Sequence, residues 1–69
     1  MNLGKFIRAA REERGITQDE LARLADIDPM SVWRIETGKV KTPGIDTITK
    51  VARALGVSID SLLATKKET

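Results

Sequence analysis

The tightest constraint on this chain is the stretch 17–38, TQDELARLADIDPMSVWRIETG, where two sets of helix start and stop signals follow each other within a few residues. Thr17 stands at an N-cap position with Glu20 three residues later, the pattern of a capping box, and Ile16 and Leu21 flank it as a hydrophobic staple. Asp26 and Ile27 make a turn. Asp28 is a second N-cap, and Pro29 takes the first helical position, where its missing N–H costs nothing. Gly38 is the closing glycine. Each helix then has only two or three turns, too few to persist alone in water. The pair must be held by the rest of the chain.

The flanking segments supply that body. Residues 3–14 carry Leu3, Phe6, Ile7 and Ala10 at three- and four-residue spacing, an amphipathic stripe, with Lys5, Arg8, Glu12 and Glu13 on the wet face. Arg8 and Glu12 are spaced as a surface ion pair, and Gly15 ends the helix. In the second helix Leu21, Ala22, Leu24 and Ala25 fall mostly on one stripe. In 45–55 the stripe is Ile45, Ile48, Val51, Ala52 and Leu55, all expected in the core, with Lys50 and Arg53 facing solvent and Gly56 as the stop. A short fifth helix over 57–64 has Ser58 as N-cap and a staple from Val57 to Leu62. Its Ile59 and Leu63 either complete the core or form a dimer patch. The fold expected is all-α: one compact five-helix domain over 1–64, followed by a charged, frayed tail at 65–69.

Composition removes several classes of function. The chain has 69 residues and no cysteine, histidine or tyrosine. One small domain is the most this length supports. Disulfides, Cys/His zinc sites and nucleophile–histidine triads are closed off. The carboxylates have cap or ion-pair explanations, so no enzyme activity, metal, cofactor or small-molecule ligand is expected. No apolar run reaches membrane-spanning length and no secretory leader is apparent, so a cytoplasmic protein is expected. The formal charge of +2 is compatible with a nucleic-acid partner, but where the charges sit says more than their sum.

At 100° per residue, Val32 and Ile35 of the helix over 29–37 point one way, while Pro29, Met30, Trp33, Arg34 and Thr37 point the other. On periodicity alone two readings stand. The helix is half-covered by a neighbour with Trp33 at the core rim, or the second set of side chains is displayed outward.

The stretch resembles the helix-turn-helix of phage repressor and Cro-type regulators, the lambda-repressor-like domains. The residues that carry the resemblance are Thr17-Gln18, Glu20-Leu21-Ala22, Ile27, Val32, Ile35-Glu36 and Gly38. It continues through Lys39 to Pro43 and the closing Ala54-Leu55-Gly56-Val57-Ser58. One departure is Asp26 at a turn position usually held by glycine. Aspartate is among the few other residues that tolerate a left-handed backbone.

The resemblance implies a lambda-repressor-like fold with helices 2 and 3 as the DNA-binding pair. The third helix would enter the major groove and read bases through Pro29, Met30, Trp33, Arg34 and Thr37. Arg34 can donate twice to guanine, and Met30 and Pro29 can pack on thymine methyl groups. Phosphates would be met by Thr17, Gln18, Ser31, Lys39, Lys41 and Thr42. The loop of Lys39 to Gly44 is thus either a plain connector or a phosphate clamp. Asp26 and Asp28 would lie near the same phosphates and repel them. The resemblance also implies an ion pair between Arg11 and Glu36; otherwise these are two unrelated surface charges.

The function expected is that of a sequence-specific transcriptional regulator, a repressor in type. It would act as a homodimer on two-fold sites about 34 Å apart. Two alternatives stand beside it. One is a protein-interaction module on the same fold, of the antitoxin kind, with Trp33 and Met30 as anchors. The other is the DNA-binding piece of a longer regulator.

Overall fold

A computed structural model describes residues 2–64, and these form five helices and no strand: α1 (Leu3–Glu13), α2 (Gln18–Ala25), α3 (Pro29–Glu36), α4 (Ile45–Leu55) and α5 (Ile59–Ala64). The expected tail lies outside the described residues. No described helix is long and apolar enough to cross a membrane.

Local hydrogen bonding accounts for most of the boundaries. Asn2 caps α1 by accepting from the Lys5 N–H at 2.8 Å. The capping box at α2 is complete: Thr17 Oγ1 accepts from the Glu20 N–H at 3.0 Å, and Glu20 Oε1 accepts from the Thr17 N–H at 2.9 Å. The Thr17 backbone N–H, with its hydroxyl second, holds the Glu20 carboxyl below the usual glutamate range. Asp28 caps α3 through the Met30 N–H at 2.8 Å, and Ser58 caps α5 through the Ser61 N–H at 3.0 Å.

Three of the helices end in the same way. A residue with a left-handed backbone follows the last turn, and the apolar residue after it bonds back across the turn. Ile16, after Gly15, donates to the Arg11 carbonyl at 3.3 Å; Ile27, after Asp26, donates to Ala22 at 2.9 Å; Val57, after Gly56, donates to Ala52 at 3.0 Å. Ile16, Ile27 and Val57 all pack against the core, so each stop is also a hydrophobic anchor. Asp26 adopts φ 57° and ψ 47°, the left-handed conformation its place in the turn demands, and is the one non-glycine residue with positive φ among those described.

The core is built from one stripe of each helix: Leu3, Ile7 and Ala10 from α1, Leu21, Ala22 and Ala25 from α2, Val32 and Ile35 from α3, Ile48, Val51, Ala52 and Leu55 from α4, and Leu62 from α5. α2 packs on both α3 and α4, α1 lies on α3, and α5 closes against α4 and α1. The small α3 therefore has its inner face gripped from two sides.

Four sequence expectations change. Ile45 is 61% exposed rather than core. It is the first residue of α4, and because helical side chains lean toward the N-terminus, its own overhangs the packed face. Leu24 is 63% exposed, since it lies roughly 100° around the helix from the centre of the Leu21–Ala22–Ala25 stripe. Lys50 is half-buried and sits 3.6 Å from Asp46 instead of facing open solvent. Arg14, Thr37 and Val57 fall just outside α1, α3 and α5; Arg14 and Thr37 are the C-caps of α1 and α3.

Gly4 had no role in the sequence reading, yet it sets how closely α1 can approach α3. A Cβ at this buried position would overlap the Ile35 carbonyl oxygen and lie 3.1 Å and 3.2 Å from the Glu36 carbonyl oxygen and Cα. All three are backbone atoms, which cannot move aside cheaply. Gly4→Ala should therefore destabilise the domain by about 1–3 kcal/mol, as overpacking does. A thermal melt should register this as a fall in Tm of roughly 5–20 °C.

Candidate functional site

α3 emerges from the fold with one face fastened and the other open. Val32 and Ile35 are buried, while Pro29, Met30, Trp33, Arg34 and Thr37 are all exposed. Met30 keeps 49% and Trp33 42% of its surface accessible. Trp33 is not among the side chains packed on the core. Arg34 has no side-chain hydrogen bond or ion pair among the described residues, so its five donors remain available. Thr37 is already engaged: its hydroxyl donates to the Trp33 carbonyl at 2.8 Å, which leaves its methyl group and oxygen lone pairs outward.

The end of α3 is tied to α1 by a partly buried ion pair. Arg11 Nε donates to Glu36 Oε2 at 2.7 Å and Nη2 donates to Glu36 Oε1 at 3.0 Å, a two-pronged contact. The two side chains are 12% and 2% exposed. Arg11 Nη1 also donates to the Ile16 carbonyl at 2.8 Å, which ties in the approach to α2. The hydrogen bonds to Glu36 push the Arg11 pKa above its ordinary value, against the opposing effect of burial. No described side-chain polar atom is left buried without a partner.

Gln18 is drawn into the same cluster. Its Nε2 donates to Glu36 Oε1 at 3.0 Å, so its amide is turned toward α3. Sequence reasoning treated Gln18 only as an outward contact, because a side chain at the first position of a helix can face either way. With Asp19, Pro29, Met30 and Trp33, Gln18 lines a cleft of about 320 Å³ between the start of α2 and the outer face of α3.

The other candidate contacts lie around this face. Thr17 is exposed at the start of α2, and Ser31 is half-buried. Lys39, Lys41 and Thr42 are exposed on the loop after α3. That loop is folded back: the Val40 N–H donates to the Arg34 carbonyl at 3.1 Å, and Pro43 is buried. Together with Ser31, Arg34, Ile35, Gly44 and Thr47, Val40 and Pro43 line a second cleft of about 210 Å³. The burial of Pro43 gives Lys39 and Lys41, which precede it, a firm base. Asp26 and Asp28 are exposed beside the turn. On α5, Ile59 is exposed, whereas Leu63 is half-buried against the core. Among the described residues no group of His, Cys, Asp and Glu could hold a metal ion.

The arrangement presents one unpaired guanidinium and three apolar side chains on a short rigid rod, with hydroxyls and lysines at its margins. It suits recognition of a polar surface that also carries exposed methyl groups. Nothing in it pairs a nucleophile with a base.

The helix-turn-helix family profile matches residues 7–62. Among curated proteins, the HTH-type transcriptional repressor RghR of Bacillus subtilis is 37% identical over 62 residues, which covers 90% of this chain and 46% of RghR. This chain thus spans just under half of that relative. Among solved structures, the N-terminal DNA binding domain of SinR from Bacillus subtilis is similar with a TM-score of 0.87 and 33% identity, covering 96% of each chain. The P22 c2 repressor protein in complex with synthetic operator 9T is similar with a TM-score of 0.86 and 25% identity, covering 94% of this chain and 97% of that one.

The geometry makes a stability prediction. Arg11→Met keeps much of the apolar stem but strands the Glu36 carboxylate in a buried setting, so unfolding in urea should show a loss of about 3–5 kcal/mol.

Proposed function

Because the chain belongs to the helix-turn-helix family, we propose that it binds double-stranded DNA sequence-specifically and regulates transcription, with α3 lying in the major groove. The observation that carries this reading is the exposed, unpaired Arg34 flanked by Met30 and Trp33 on a helix whose opposite face is locked into the core. Arg34 donates to the N7 and O6 acceptors of guanine. Pro29, Met30 and Trp33 meet thymine methyl groups, the apolar feature of that groove, and Thr37 adds its methyl or accepts a hydrogen bond.

Phosphates on either side hold the domain in register without carrying sequence information. Thr17 and the free N–H groups at the start of α2 grip one strand, helped by the partial positive charge of a helix N-terminus. Ser31, Lys39, Lys41 and Thr42 grip from the other side of α3. Asp26 and Asp28 oppose this attraction, although Asp28 is partly occupied as a cap.

One domain of this size spans few base pairs. The reading therefore extends to a homodimer acting as a repressor on two half-sites about 34 Å apart, with the exposed Ile59 of α5 at the dimer patch and Leu63 left to the core. It is not an enzyme in this reading, and its place is the cytoplasm, where DNA is within reach. A second reading, the DNA-binding part of a longer regulator, uses the same site. It is supported by the 46% share of RghR that this chain covers.

Selection of bound duplexes from a random library tests the proposal and reports half-site spacing; recovery of no enriched sequence would overturn it. Arg34→Ala should cost about 1–3 kcal/mol on the selected duplex and much less on a scrambled one. Equal losses on both would remove Arg34 as a base reader. Lys41→Ala should weaken both duplexes alike and reduce the slope of log K against log salt by about 1.

A further inference from the structure

We propose that Gln18 is a positioning residue for DNA reading: its side-chain amide, held on the Glu36 carboxylate, sets the first turn of α2 at a definite distance from the end of α3. The inference rests on the DNA-binding reading above.

Glu36 receives three hydrogen bonds, from Arg11 Nε, Arg11 Nη2 and Gln18 Nε2. The last two share Oε1, each at 3.0 Å. Arg11 in turn holds the Ile16 carbonyl at 2.8 Å, two residues before Gln18. The start of α2 is therefore tied to one buried carboxylate twice, through the main chain by way of Arg11 and directly by a side chain. A surface amide that served only a phosphate would have no reason to turn inward on a carboxylate that already holds a two-pronged arginine.

The residue type fits the position. A glutamate would set a second carboxylate against Glu36, and a lysine or arginine would compete with Arg11 for the same oxygens. Neutral glutamine adds a donor without disturbing the charge balance of the pair. Its location gives the bond leverage, because Gln18 also walls the cleft that separates α2 from Pro29, Met30 and Trp33. Phosphate and base contacts can form together only if the start of α2 and the outer face of α3 keep a definite separation.

Gln18→Met tests the idea, since it preserves side-chain length and removes the donor. Binding of wild type and variant is measured on the duplex selected by the wild type and on a scrambled duplex, at one salt concentration. The preference for the selected duplex over the scrambled one should fall about 3- to 10-fold, the value of one hydrogen bond. Equal loss on both duplexes would make Gln18 a mere phosphate contact, and an unchanged preference would leave it no role; either result overturns the proposal while DNA reading stands. If the wild type itself prefers no duplex, DNA reading fails first.

A measurement on the free wild-type domain needs no variant. Gln18 is the one glutamine in the chain and Asn2 the one asparagine, so only two side-chain amide groups have to be told apart. One of the two Gln18 amide protons should exchange slowly with solvent. Exchange as fast as that of an exposed amide would also overturn the proposal.

Discussion

The orientation of α3 depends on the ion pair between Arg11 and Glu36. A helix of two turns has too few internal hydrogen bonds to hold its own direction, and Val32 and Ile35 alone give it only two buried side chains. Hydrophobic contact sets which face is inward but permits rolling and sliding. The two-pronged guanidinium–carboxylate contact removes that freedom, since its geometry is directional. A buried ion pair is a weak source of net stability compared with apolar packing of the same volume. Its contribution here is to define a single pose, and the Ile16 carbonyl and the Gln18 amide extend that definition to α2.

Two arginines illustrate how the same side chain serves opposite ends. Arg11 is almost covered and engages acceptors through three of its nitrogens. Arg34 lies on the opposite side of α3 with no acceptor at all among the described residues. The first arginine spends its donors on the scaffold so that the second can be offered to a partner in a stable direction. The loop that follows α3 shares this logic. Pro43 is sunk into the fold and Val40 is bonded back to α3, so Lys39 and Lys41 project from a fixed base.

Much of the fold was legible because its signals are local. The capping box, Asp28-Pro29, and the left-handed stops at Gly15, Asp26 and Gly56 depend on neighbours within six residues, and the structure has all of them. The inner and outer sides of α3 were likewise legible from Val32 and Ile35. Features that depend on distant neighbours were not. Periodicity cannot join Arg11 to Glu36, which are 25 residues apart, and only the family resemblance linked them. Helical spacing placed Ile45 and Leu24 inside because it counts positions without knowing where the neighbouring helix ends. Gly4 and the inward turn of Gln18 carry no local signature, since each acquires its meaning only from α3.

The three matching helix stops also bear on how the chain finds this arrangement. Each closes a short ring of hydrogen bonds and tucks an apolar residue beneath it, so most of the topology is specified by contacts between near neighbours in sequence. Little loop-closure entropy is lost before such contacts form, and chains of this kind reach the native state in microseconds to milliseconds. A small domain that opens at times can then reclose faster than a protease can cleave it, so its lifetime in a cell follows the rare population of open chains and not the rate at which they appear.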